Sequence, residues 1–203
     1  MGGLRYLKNS LIIAVVVSFL GSALAVFNGY MTARNRTKLS YVLHLMSISS
    51  LAVPGIVLGL SYVMFFKKSP IYGTFAMLFL VNSMHFFASP YLMAYNTFGK
   101  INENLEDVGA TLGLGRWSII RDVLLPQMTG TILEMMSYFF VNCMMTISAV
   151  SFLANVSNKP IALMITQFEG QMQLECAAFV SLLILVVNVL MKYIVYVTKK
   201  RFS

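Results

Sequence analysis

The chain has 203 residues, 58% of them hydrophobic and 11% charged. Soluble domains carry about 45–50% apolar and about 25% charged residues, so this chain has too little polar surface for a water-soluble fold. The net charge of +8 does not mark a nucleic-acid partner, because the basic residues stand singly or in short clusters between apolar runs and form no stripe.

The first apolar run, 11–20, follows Arg5 and Lys8 and precedes Ala23-Leu24-Ala25, the outline of a secretion signal. Similar runs recur to the end of the chain, so a signal explains too little. A spanning helix needs about 20 mostly apolar residues. Five segments qualify: 9–30, 40–66, 71–96, 128–153 and 174–197. Runs such as 11–17 and 182–187 do not alternate, which excludes transmembrane strands. The predicted fold is all-α, a polytopic membrane bundle of about five transmembrane helices in one domain over 1–203.

Arg34, Arg36, Lys38, Lys100, Arg116, Arg121, Lys199, Lys200 and Arg201 fall on one side of such a bundle, nine basic residues against five on the other, Arg5, Lys8, Lys67, Lys68 and Lys159. The excess puts the first set in the cytoplasm, with the amino terminus outside. Arg5 and Lys8 fit poorly there, which is explained if another helix precedes them or if the chain is half of a larger protein. Cys143 and Cys176 lie among apolar or small residues, outside any Cys-x-x-Cys or Cys/His cluster, and are read as buried structural thiols.

The loop 98–127 breaks the apolar pattern and holds four of the seven acidic residues, Glu103, Glu106, Asp107 and Asp122. Asn102 is placed to cap a short helix whose first turns carry the first three. Gly113 and Gly115 allow a sharp turn, and a second helix runs from Arg116 to the helix-breaking Pro126. Two short helices joined by a glycine turn make a compact cytoplasmic projection.

This loop resembles the cytoplasmic signature of MetI-like permeases, the inner-membrane subunits of binding-protein-dependent ABC importers: E-A-A, three residues, G, nine residues, I-x-L-P. Asp107-Val108-Gly109 stand at the E-A-A positions, Gly113 at the glycine, Val123 at the isoleucine, and Leu125-Pro126 close the motif without an insertion. Asp for Glu, Val and Gly for the alanines and Val for Ile are departures. Asn9-Ser10-Leu11, Pro54-Gly55 with Gly59, and Tyr72-Gly73-Thr74 extend the resemblance across nearly the whole chain. The stretch 140–153 is similar to the branch that takes iron(III) and 2-aminoethylphosphonate. Asn142 and the segment 174–179 point to the phosphonate group, with iron(III) next and polyamines behind.

The resemblance implies that the loop carries a coupling helix that docks in a cleft of a partner ATPase. Its glycines permit the turn, while Trp117, Ile119, Ile120 and Leu124 are candidate apolar anchors against the partner or the bundle. It also implies a cytoplasmic ATPase dimer, a second permease subunit or half, an extracytoplasmic substrate-binding protein, a lipid environment and a bacterial inner-membrane location. No G-x-x-x-x-G-K-[ST] loop occurs, so no cofactor is expected on this chain, and ATP and Mg belong to the ATPase. An intramembrane enzyme is the alternative from another class. It would need a nucleophile and base or a carboxylate and histidine cluster, and His44 and His85, the two histidines, stand in no such motif.

Candidate pathway-lining residues are Asn142, Thr146, Ser148, Ser151 and Glu134. Asn142 and Thr146 share a helix face, as do Asn82 and His85, and interhelical hydrogen bonds are the preferred role for both pairs. Glu134 is equally well read as lining a pathway or as an interfacial partner of Arg121 or Lys100. Pro54-Gly55 and Gly59 mark a kink or a close-packing site. The stretch 159–171 reads as a short external helix or re-entrant turn where a binding protein docks.

Overall fold

The structure is a computed structural model and describes residues 2–35 and 37–202; Arg36, one of the nine basic residues expected in the cytoplasm, lies outside them. The described residues form helices joined by turns, with no strand among them. Helix α1 (Gly2–Arg34) is one proline-free rod. It packs on α5 (Ala88–Lys100) and α9 (Thr129–Met145), and α9 packs in turn on α11 (Leu174–Phe202). α1 and α11 are each long and apolar enough to cross a membrane, and up to four spans result if two bent helix pairs each count as one.

The second predicted span, 40–66, is not one helix. It splits into α2 (Lys38–Ile48), a 3₁₀ turn (Ser49–Ala52) and α3 (Gly55–Phe66), bent by 110°. Val53 adopts φ −101° and ψ 113°, the extended backbone that a following proline imposes. The third span splits into α4 (Phe75–His85) and α5, bent by 54°. Pro90 lacks the N–H that would bond the Phe86 carbonyl, so the ladder is interrupted there.

The fourth span ends at Met145 rather than at 153. Thr146 turns to ψ 126°, and its hydroxyl donates to the Asn142 carbonyl at 2.8 Å. Such side-chain bonds compete with the helix ladder. The chain from 146 to 162 then runs irregularly, with Ala149, Val150, Leu153 and Ile161 buried in the main apolar cluster. Non-helical backbone at membrane depth is tolerated only when protein or a cavity covers it, and here the bundle does. Outside this core the polarity rule of soluble proteins is inverted: Met64 and Phe65 of α3 and Phe179, Leu182, Leu190 and Ile194 of α11 point outward.

The remaining elements are α6 (Asn104–Thr111), α7 (Arg116–Ile119), a π-helical turn (Ile120–Leu124), α8 (Leu125–Gln127) and α10 (Leu163–Gly170). Pro126 does not stop the chain from running helically into α9. It falls in the first turn of α8, just behind the wide π turn, where a missing N–H is tolerated. The predicted external stretch contains α10, as expected for a short helix there.

Candidate functional site

Two sites emerge, one at each level of the bundle. The first is the loop between α5 and α9. Asn102 Oδ1 accepts the Asn104 N–H at 3.0 Å in the turn before α6; the N-cap position is Glu103 rather than the expected Asn102, so Glu103 precedes the helix while Glu106 and Asp107 lie in its first turn. Gly109 is buried against Ile119: a Cβ there would sit 2.7 Å from Ile119 Cγ1, so only glycine lets α6 and α7 approach this closely. Gly113 has φ +74° in open space, so its requirement is conformational. Gly115 needs no such freedom. Its backbone is ordinarily extended (φ −66°, ψ 146°) at the start of α7, so the turn rests on Gly113 alone.

The expected apolar anchors divide into two groups. Ile119 and Leu124 are buried in the bundle and Ile120 is half-buried, while Trp117 is 71% exposed. Leu112, Leu114 and Val108 are exposed beside it, so the projection presents an apolar face. Asp107 and Pro126 are exposed, and Val123 and Leu125 are half-buried on the helical run behind the turn.

Glu106, rather than Asp107, is the fixed carboxylate. Arg34 Nε lies 3.4 Å from Glu106 Oε1 and Arg116 Nη2 lies 3.4 Å from Oε2. The Tyr30 hydroxyl donates to Glu106 Oε2 at 3.2 Å and accepts from Arg116 Nε at 2.9 Å. Tyr30's acceptance raises the Arg116 guanidinium pKa still further, so that charge persists at any working pH. The Arg34 side chain is only 4% exposed, so this is a nearly desolvated pair pinning α6 to the end of α1. In sequence Tyr30 stood out for nothing and Arg34 only as one of the nine basic residues on one side. The available signal was their spacing of one turn at the end of a span, facing an acidic loop.

The second site lies where the three helix breaks meet. Asn142, Thr146, Ser148 and Ser151 line one open cavity of about 590 Å³ with Ile56, His85 and Phe86. A Cβ on Gly55 would sit 2.5 Å from Ser148 Oγ and 2.9 Å from His85 Nε2, and one on Gly59 would sit 2.6 Å from the Ala149 carbonyl oxygen. Pro54-Gly55 and Gly59 are therefore both the bend and the close-packing site. Among the described residues the expected interhelical bonds of the two polar pairs are not formed. Asn142 donates to Tyr138 O and Asn82 to Leu78 O, each at 2.8 Å within its own helix.

Glu134 is outside this cavity. It pairs with Lys199 of α11, not with Arg121 or Lys100. His44 Nδ1 lies 2.7 Å from the Tyr91 hydroxyl, which donates to Thr32 Oγ1 at 2.9 Å. Cys143 is buried as expected, but Cys176 is exposed on α11. Among the described residues no three His, Cys, Asp or Glu side chains gather as a metal site would require.

Comparison with known proteins fits this architecture. Residues 19–203 match the family described as binding-protein-dependent transport system inner membrane component. The FbpB 1 protein of Haemophilus influenzae is 26% identical over 155 residues, which is 75% of this chain and 24% of that protein. The ferric transport system permease protein FbpB of Actinobacillus pleuropneumoniae is 25% identical over 75% of this chain and 23% of its own length. The chain thus spans about a quarter of the length of the curated relatives it matches. Among solved structures, the MetNI methionine ABC transporter in an inward-facing conformation superposes with a TM-score of 0.79 at 15% identity, covering 98% of this chain and 95% of that one. A bacterial alginate ABC transporter in complex with its alginate-pentasaccharide-bound periplasmic protein superposes with a TM-score of 0.82 at 13% identity, covering 98% and 78%.

Proposed function

The chain belongs to the family of binding-protein-dependent transport system inner membrane components, and from that premise we propose that it is a permease subunit of an ATP-driven importer, working by alternating access. The observation that carries the reading is the projection α6–Gly113–α7. Its outer face is apolar, with Trp117 and Leu112 more than 70% exposed, and its inner face is bolted to α1 through Glu106. A lever must both protrude and be rigidly attached. Two ATPases closing on ATP pull two such levers together, and the work reaches the pathway only because closure favours one permease state over the other. Hydrolysis belongs to the ATPase subunit, which sets aside the intramembrane-enzyme reading.

The partners follow: two ATPases, a second permease subunit or half, and an extracytoplasmic binding protein docking near 159–171. The bundle's own spans are too few to enclose a pathway, and the cavity at Thr146 opens to one side. Its Asn142, Thr146, Ser148 and Ser151 are neutral hydrogen-bonding groups, which suit a small anion or zwitterion better than a polyamine, whose charge calls for carboxylates or an aromatic cage. On the resemblance of 140–153 and 174–179, 2-aminoethylphosphonate leads; the ferric name of the curated relative from Actinobacillus pleuropneumoniae supports iron(III).

Co-expression with the cognate ATPase is expected to yield a detergent-stable complex with two permease domains and two ATPases. A complex active with one permease domain, or a chain that never retains an ATPase, overturns the reading. Calorimetry of the partner binding protein against 2-aminoethylphosphonate, iron(III) and spermidine separates the substrates.

A further inference from the structure

Polar side chains inside spans are expensive, and Asn82 and Asn142 satisfy their amide donors within their own helices. Helix α1 is different at both of its ends. Near the outer end, Asn9 Nδ2 donates to the carbonyls of Ser157 at 3.1 Å and Lys159 at 3.2 Å. Next to it, Ser10 Oγ accepts the Ile161 N–H at 2.8 Å. Both side chains are buried, Ser10 at 1% exposure. They hold the irregular segment that leads into α10. At the inner end Tyr30 and Arg34 hold Glu106 of α6.

Between these clamps α1 has no place to bend. It lacks proline, and its glycines are filled positions: a Cβ on Gly21 would lie 2.6 Å from the Phe139 ring, and one on Gly29 would lie 2.8 Å from Ala94 Cβ. At 1.5 Å per residue the clamps stand roughly 37 Å apart along an uninterrupted helix. The routes through α2 and α3, through α4 and α5, and past the end of α9 each cross a break; α11 is also unbroken, but the ion pair near its far end is to Glu134 of α9 and not to the α6 projection.

We propose that α1 is a connecting rod between the outer loop 157–161 and the α6 projection, with Asn9, Ser10 and Glu106 as its positioning residues. Displacement of the outer loop by a docked binding protein moves the rod along its axis and shifts the projection, and closure at the projection shifts the outer loop reciprocally. The coupling is reciprocal because both ends bias one two-state element. This rests on the permease reading and adds to it the route by which the outer face informs the inner one.

The test uses the transporter reconstituted with its ATPase and binding protein, reading ATP hydrolysis with and without saturating, liganded binding protein. Stimulation of the wild type separates the two claims, since its absence removes the permease reading itself. With stimulation established, Ser10→Ala and Glu106→Gln are each expected to cut maximal stimulation at least threefold at equal assembled abundance. Asn9→Ala, which loses two bonds at the same clamp, is an independent outer-end variant. Joining Ser10→Ala to Glu106→Gln is expected to do no more damage than the worse single change. Full stimulation in both outer-end variants, or losses that multiply in the combined variant, overturns the rod.

Discussion

Around Glu106, polar side chains reach across elements to one another; around Thr146 they turn back on their own helix. In the first region a carboxylate, two guanidiniums and a phenol from α1, α6 and α7 define each other's positions. In the second, Thr146, Asn142 and Ser151 donate to carbonyls no more than four residues away, which fixes nothing beyond a local turn. A bond to the local carbonyl still satisfies the donor in a low-dielectric setting, and it leaves oxygen lone pairs free toward the cavity. The contrast is between a joint whose members fix one another across elements and a cavity lining whose polar side chains are tied only to nearby backbone.

Glu106→Gln is the strongest way to break the joint. It leaves the nearly buried Arg34 guanidinium without a counter-charge, and breaking such a pair costs about 3 kcal/mol. Thermal unfolding in detergent is expected to show a loss of that order, and an unchanged midpoint contradicts the joint. Gly113→Val comes next, since a β-branched residue at φ +74° costs about 2 kcal/mol. It is expected to uncouple transport from hydrolysis, so normal uptake at full abundance tells against the lever. Gly109→Ala is smaller, about 1–2 kcal/mol of overpacking against Ile119. Adding Ile119→Ala is expected to cost less than the two separate losses combined, and strict additivity places the methyl elsewhere. Lys199→Ala is the smallest. Its pair with Glu134 is about half exposed on both sides, and a surface ion pair contributes about 0.5 kcal/mol or less. A loss near that of Glu106→Gln removes the distinction between a buried joint and an exposed pair.

The projection was legible in sequence because its signals are local: acids in the first turn and a glycine at the turn, although the helix begins one residue later than a cap at Asn102 would set it. The role of Gly113 was readable from position, whereas that of Gly109 depends on Ile119, ten residues on, and needed coordinates. The helical class and outward apolar faces followed from composition. The breaks in the third and fourth spans did not, because hydropathy measures how apolar a segment is and not whether its backbone is continuous. Pro54 did warn of a bend, but no residue type announces that Thr146 ends α9. Glu134 shows the same limit: its charge flagged it, but its partner, Lys199, lies 65 positions away. Of the polar residues singled out, Asn142, Thr146, Ser148 and Ser151 share one cavity while Glu134 lies outside it, and their bonding was not legible, since choosing between a neighbour helix and one's own carbonyl is a matter of distances.

The anchoring of Asn9 and Ser10 to 157–161 also sets an order of events during synthesis. The first helix leaves the ribosome with two polar side chains whose partners are about 150 positions away, and chains emerge amino terminus first at about 5–20 residues per second. For several seconds those groups must bear their desolvation unaided or wait at the bilayer surface. The end of the bundle that carries Asn9 and Ser10 therefore closes late, after α9 and the irregular segment have been delivered, and a chain interrupted before position 157 lacks every backbone partner these two side chains bond across the bundle.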